Sequence, residues 1–309
     1  MGLEPIAEIE LPAHQGSGGF DHAAVHGRLG RLYVAHTANS AIDVIDCTSH
    51  TYRGSIAGLQ AVAGALVCEE QELVFTSNRG ENTVGIFTVD REAQLAKVKV
   101  GSKPNGLAYD PGREMLIAAN VGEPSRPGSF SISVVDVGAR SMIADIPVPG
   151  RTRWSVFDAE TGWFYVNIAD PPQIVVVESA KPDRVTHAFG VAAGGPHGLD
   201  LDVSTRRLFC ACDDKTLVVL DCRSGREIAR APLTGAPDVI FLNRERRHLY
   251  VAAGDPGVVE VFETDGLRLV QTVQTGSGAH TIGFDQLRNT MYAFLPETRR
   301  ALVFRDSGD

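Results

Sequence analysis

Short apolar runs bounded by polar turns recur along the whole chain, and their composition is that of strands. The most visible run is β-branched: Ala41-Ile42-Asp43-Val44-Ile45-Asp46, Ser131-Ile132-Ser133-Val134-Val135-Asp136, Ile174-Val175-Val176-Val177-Glu178 and Leu217-Val218-Val219-Leu220-Asp221 are four of its seven copies. Branching at Cβ suits a pleated, half-buried surface. A second run precedes it in every copy, as in Leu32-Tyr33-Val34-Ala35 and Leu249-Tyr250-Val251-Ala252. Turns such as Asp110-Pro111-Gly112-Arg113-Glu114 come before that run and predict hairpins.

Aligning the runs places Asp21, Ala63, Asn105, Arg153, His197, Asp238 and His280 at one equivalent position, with spacings of 42, 42, 48, 44, 41 and 42 residues. Four strand-like segments per repeat of this length are the signature of propeller blades. The one long spacing has a local cause, the Pro/Gly-rich insertion at 122–128, which a surface loop tolerates. Fourth segments such as Leu95-Ala96-Lys97-Val98-Lys99-Val100 complete the units, but the last unit has none downstream. Ile6-Ala7-Glu8-Ile9-Glu10-Leu11 supplies it from the N-terminal end. The expected fold is all-β: a single domain over 1–309, a seven-bladed β-propeller closed by an N-terminal strand that leaves no open edge.

The frame Pro-x-Gly-Leu-Ala, a turn, an apolar run ending in Asn and then a β-branched run resembles the YncE-type, YVTN-repeat seven-bladed propellers. Pro104-Asn105-Gly106-Leu107-Ala108 with Leu116-Ile117-Ala118-Ala119-Asn120 is its best copy, and the resemblance covers essentially the whole chain. It implies architecture more than activity, because such propellers include binding proteins, surface proteins and some enzymes.

In a propeller the innermost strand of each blade starts at one mouth of the central channel, so the aligned residues are expected to ring that mouth. Ring order then places Arg153, His197, Asp238, His280 and Asp21 in one arc. Imidazoles with carboxylates suit Zn, Mn or Fe better than Ca. The leading expectation is therefore a metal-dependent hydrolase or lyase, lactonase-like by analogy alone. His197, His280, Asp238 and Asp21 would be the metal ligands. Asp238 or Asp21 would serve as base, and Arg153 would clamp an anionic group of the substrate. Asn105, Arg153, Trp154 and His36 are the expected substrate contacts, with His36, Asn78, Asn120 and Asn167 on the rim or capping loop backbone. Trp154 alternates between a substrate platform and an inter-blade plug. His22 is expected to turn away from Asp21 and pack between blades, His26 to occupy a turn, and His14, His50, His187 and His248 to be exposed without a carboxylate partner. The alternatives for the arc are hydrogen bonds to backbone or trapped water, and for the whole chain a non-catalytic scaffold that binds a protein or small ligand on its top face. The loops at 78–82 and 122–129 would then meet a protein partner.

Charge narrows the partners. A net charge of −9 without a basic stripe argues against nucleic acid and leaves a small polar or anionic molecule as the expected ligand. No apolar stretch is long enough to span a membrane and no leader pattern opens the chain, so the default expectation is cytoplasmic, or secreted or periplasmic if a leader has been removed. Five cysteines are an odd number for a disulfide framework. Cys210 and Cys212 share a face and read as small buried hydrophobes before they read as ligands. Nucleophile-elbow, P-loop and dinucleotide-binding glycine motifs are absent from the sequence.

Overall fold

The computed structural model describes residues 2–90 and 92–308, which form strands apart from one 3-10 turn at Thr37–Asn39 and the connecting turns. Strand pairing sorts them into seven four-stranded antiparallel sheets. Their innermost strands are Phe20–His26, Val62–Cys68, Pro104–Asp110, Thr152–Asp158, Pro196–Asp202, Ile240–Asn243 and Thr281–Asp285. Each innermost strand touches the next one in sequence, and the seventh returns to the first, so the ring is closed. Among the described residues no helix is long and apolar enough to cross a membrane.

The β-branched runs are the third strands, and the Leu-Tyr-Val-Ala runs are the second. Both are buried on their two faces, as in Arg31–His36 and Ala41–Asp46, because a neighbouring blade covers each side. Fourth strands face outward and expose most of their length, as Ser141–Pro147 does. Seven apolar clusters result, one in each gap between adjacent blades. Burial of each Val, Leu, Ile or Phe side chain stabilises by ~1.5–3 kcal/mol, so the wedge-shaped gaps hold the ring together. The tyrosines of the second strands bury their rings and reach across with the hydroxyl: Tyr165 donates to the Cys222 carbonyl at 3.0 Å and Tyr250 to Asp306 at 2.6 Å. All five cysteines are free and buried, and Cys210 and Cys212 sit in one such gap with their Sγ atoms 3.8 Å apart.

The ring closes at Leu3–Glu10, which pairs with Arg300–Asp306 from Leu3 opposite Asp306 to Glu10 opposite Arg300. This strand starts before the Ile6 expected from the apolar alternation, and a register shift between Pro5 and Ala7 accommodates it. Two histidines expected to be solvated are instead partnered. His248 donates to Asp306 at 2.6 Å, and His14, in the connector after the closing strand, lies 2.9 Å from His36 and 2.7 Å from the Pro296 carbonyl. Their carboxylate and carbonyl partners stand far away in sequence, which is why local reading leaves them unpaired.

Candidate functional site

The innermost strands all start at the same end of the channel, and the aligned residues meet there. The frame Pro-x-Gly has a geometric basis. A Cβ on Gly106 would stand 2.5 Å from the Arg153 carbonyl oxygen, and one on Gly198 would stand 2.5 Å from that of Asp238. Glycine therefore lets these strands approach the ring residue of the next blade.

Four blades depart from that glycine, with His22, Trp154, Val239 and Thr281 in its place. Of these, His22 and Trp154 belong to blades 1 and 4, and their rings cross the axis to stack with centroids 4.0 Å apart. The irregular pairing between Phe20 and Ala23 and between Thr152 and Ser155 upsets simple alternation. His22 is thus not a packing residue between blades: its Nε2 lies 3.4 Å from Asp21 Oδ1. Burial holds its pKa below the ordinary value against the pull of Asp21. Trp154 also packs edge-on against Phe241, at 6.3 Å between centroids. The pair forms a floor under the mouth.

Above that floor, His197 is the most connected group. Its Nδ1 lies 2.7 Å from Asp213 Oδ1 and its Nε2 lies 3.1 Å from Asp238 Oδ1. Burial alone would favour the neutral ring, but the two carboxylates outweigh it and hold the pKa at about 9. Asp238, whose burial would raise its pKa, is held well below the carboxylate range by the same imidazolium, with His280 adding to the effect. His280 Nε2 stands 3.8 Å from the other oxygen of Asp238.

Arg153 joins this cluster with Nη2 3.2 Å from Asp213 and Nη1 3.1 Å from His197 Nε2. A guanidinium and an imidazolium at that distance repel, and Asp213 and Asp238 offset the two charges. Arg79 completes the far side, with Nη1 3.2 Å from Asp21 and Nη2 donating to the Asn105 side-chain oxygen. The Nε atoms of Arg79 and Arg153 are buried without a hydrogen-bond partner. Arg151, just outside the ring, has no carboxylate partner among the described residues. Partial burial and then the charges of Arg153 and Arg79 depress its pKa.

The structure therefore brings together Arg153, His197, Asp238 and His280 on one side and Asp21 and Asn105 on the other, with Ala63 buried between blades. Asp21 pairs with Arg79 and His22. Among the described residues no three His, Cys, Asp or Glu side chains stand grouped as metal ligands. His36, expected on the rim, is fully buried, with Nδ1 2.7 Å from Asp43 and Nε2 turned to His14. Asn78, Asn120 and Asn167 are fully buried as well. Asn78 and Asn120 make side-chain bonds inside their blades, to Thr83 at 3.0 Å and to Ser131 at 2.9 Å, and Asn167 donates to the His197 carbonyl of the next blade at 2.9 Å.

Sequence reasoning missed Arg79, Asp213 and Arg151. Arg79 and Asp213 each follow the last residue of a second strand, Leu73–Asn78 and Arg207–Cys212. The reading took the last strand residue as the rim, whereas side chains alternate and the following position is the one that faces the mouth. Arg151 lies two residues before Arg153, and its signal was a second arginine at the same blade entrance.

No family model matches the chain, and no curated protein sequence matches it. Among solved structures, a chain of Kuenenia stuttgartiensis hydrazine synthase superposes with a TM-score of 0.83 at 15% identity, over 96% of this chain and 99% of that one. A chain of a mitotic checkpoint complex superposes with a TM-score of 0.82 at 10% identity, over 99% of this chain and 92% of that one. At these identities the likeness is one of fold, and the fold it supports is the seven-bladed β-propeller.

Proposed function

We propose that this propeller is one of the YncE-type, YVTN-repeat group and that it binds a small anionic molecule at its channel mouth. The observation that carries the reading is the convergence of Arg79, Arg151 and Arg153, with Arg151 lacking a carboxylate partner among the described residues. Three guanidinium groups and the His197 imidazolium face Asp21, Asp213 and Asp238, which leaves the mouth cationic in a chain of net charge −9. An anion between Arg151 and Arg153 would relieve their mutual repulsion and that between Arg153 and His197. Guanidinium forks suit carboxylate and phosphate geometry.

Titration calorimetry with malonate and with inorganic phosphate tests this. A single saturable site that Arg151→Ala weakens and Arg153→Ala weakens further is the expected outcome. Equal, unsaturable heats in all three proteins would end the reading.

The second reading is a metal-dependent hydrolase or lyase. It is favoured by one observation, that His197 and His280 direct Nε2 at opposite oxygens of Asp238. Zn, Mn or Fe held by His197, His280 and Asp238 would supply an acidified water for ester or lactone cleavage, with Asp21 more distant on its Arg79 contact. His197 would first have to release a proton held to about pH 9, so metal uptake should strengthen as pH rises. Elemental analysis of untagged protein, with melting curves in added Zn, Mn and Fe at two pH values, separates the two readings. Thermal stabilisation that grows with pH supports the metal, and stabilisation by malonate alone supports the anion.

A further inference from the structure

Below the His22–Trp154 floor the channel opens again toward the opposite face, as a cavity of about 520 Å³. That lies within the size range of small-molecule sites. Its walls carry the half-buried apolar side chains of Trp154, Phe241, Val67 and Val156. Its outer rim comes from the turns that end the innermost strands, including Glu69 and Glu70 of blade 2 and Arg244 of blade 6.

One charged group lies within the wall. Asp200 is about 16% exposed, and its two oxygens accept the backbone N–H groups of Leu201 and Leu242, each at 2.7 Å. Among the described residues its only ion-pair partner is Arg244, whose Nη2 is 4.0 Å away and donates at 3.1 Å to the Leu201 carbonyl. Arg244 is itself half exposed. Burial pushes the Asp200 carboxyl above its ordinary range, more than Arg244 and the two amides pull it down. A carboxylate taken out of water without a close countercharge is costly, and a bound ammonium would supply the missing charge. Aromatic faces nearby favour a cation as well.

We propose that this lower channel is a second binding site, distinct from the cationic mouth, for a small amine with an apolar or aromatic body. The body would lie against Trp154, Phe241, Val67 and Val156, and the ammonium would donate to Asp200. The site takes ligands of opposite charge to the mouth and is reached from the opposite face.

The test uses 1-naphthylmethylamine and its uncharged counterpart 1-naphthylmethanol as probes, read by quenching of tryptophan fluorescence and by calorimetry on the full chain with saturating malonate present. The amine is expected to bind at one site about tenfold more tightly than the alcohol, as a hydrogen bond between charged groups warrants. Asp200→Asn should bring the two affinities to near equality while alcohol binding persists. Val67→Phe and Val156→Phe, which fill the cavity from separate blades, should each weaken both probes about tenfold or more, with circular dichroism melts confirming folded protein. Equal affinity for amine and alcohol in the unaltered protein, no change in their ratio on Asp200→Asn, or unchanged binding in both filled variants would each overturn the proposal. Because malonate is present throughout, failure here leaves the anion site at the mouth to stand or fall on its own titration.

Discussion

Two histidine–aspartate pairs in this molecule share one contact and differ in everything around it. His197 and Asp213 meet at 2.7 Å, and so do His36 and Asp43. His36 and Asp43 are fully buried, and their remaining bonds go to His14 and to the Ser55 hydroxyl, at 2.9 and 2.6 Å. His197 is part-exposed, with a guanidinium and a second carboxylate at its other nitrogen. The first pair is fully consumed by neighbours and ties the connector at His14 to blade 1. The second stands at an opening, where Arg153 and Asp238 share its outer nitrogen. Pairing of histidine with a carboxylate therefore does not mark a site; its position at an accessible opening does.

The largest expected effect breaks the comparison on the buried side. Asp43→Ala should cost about 3–5 kcal/mol, because it leaves His36 and Ser55 without their partner inside the blade. Asp213→Ala should cost far less, since water can replace it. Urea unfolding of both variants gives the answer, and equal losses would erase the distinction drawn here. Next in size, Arg153→Ala should lower malonate affinity about 10- to 100-fold, with Arg153→Lys restoring only part because a lysine cannot fork. Calorimetry reads both.

A smaller effect follows from protonation. The His197 pKa is about 9 in the folded chain against an ordinary 6.5. Its contribution to stability is therefore full below pH 6.5 and is lost as pH rises through 9. Melting temperature should fall across that window in the unaltered protein and fall less in His197→Gln, and malonate affinity should weaken in parallel. If the two melting curves keep a constant separation from pH 6 to 10, the imidazolium assignment is wrong. Least of all, His280→Ala should change malonate affinity by less than about threefold, since His280 stands 3.8 Å from Asp238 and is more than a third exposed. Under the metal reading the same variant should instead lose any Zn-dependent rise in melting temperature.

The seven blades were legible because a repeated β-branched run and a Leu-Tyr-Val-Ala run are each dictated by burial. The ring position was legible because the repeat aligns it in every blade, with a glycine just after it in blades 2, 3 and 5. The contents of the site were less so. His22 and Trp154 could have been flagged where glycine fails, but stacking across the axis joins blades 1 and 4, and no local pattern reports which rings meet there. Arg79 and Asp213 were missed by one residue of strand alternation. His36 sat at an expected rim position and proved to be interior, because its partner Asp43 comes from the adjacent strand and His14 from the connector that closes the ring.

The closing strand has a consequence for the order in which the molecule can be made. Leu3–Glu10 belongs to the same sheet as Thr281–Asp285, Thr290–Leu295 and Arg300–Asp306. Of these four strands, the one that a ribosome releases first must therefore wait for the three that it releases last. Until then Ile9 and Leu11 lack the Tyr292, Phe294 and Val303 side chains they pack against, and both edges of the growing array stay open. During synthesis Ile9 and Leu11 stay uncovered until completion of the seventh blade buries them.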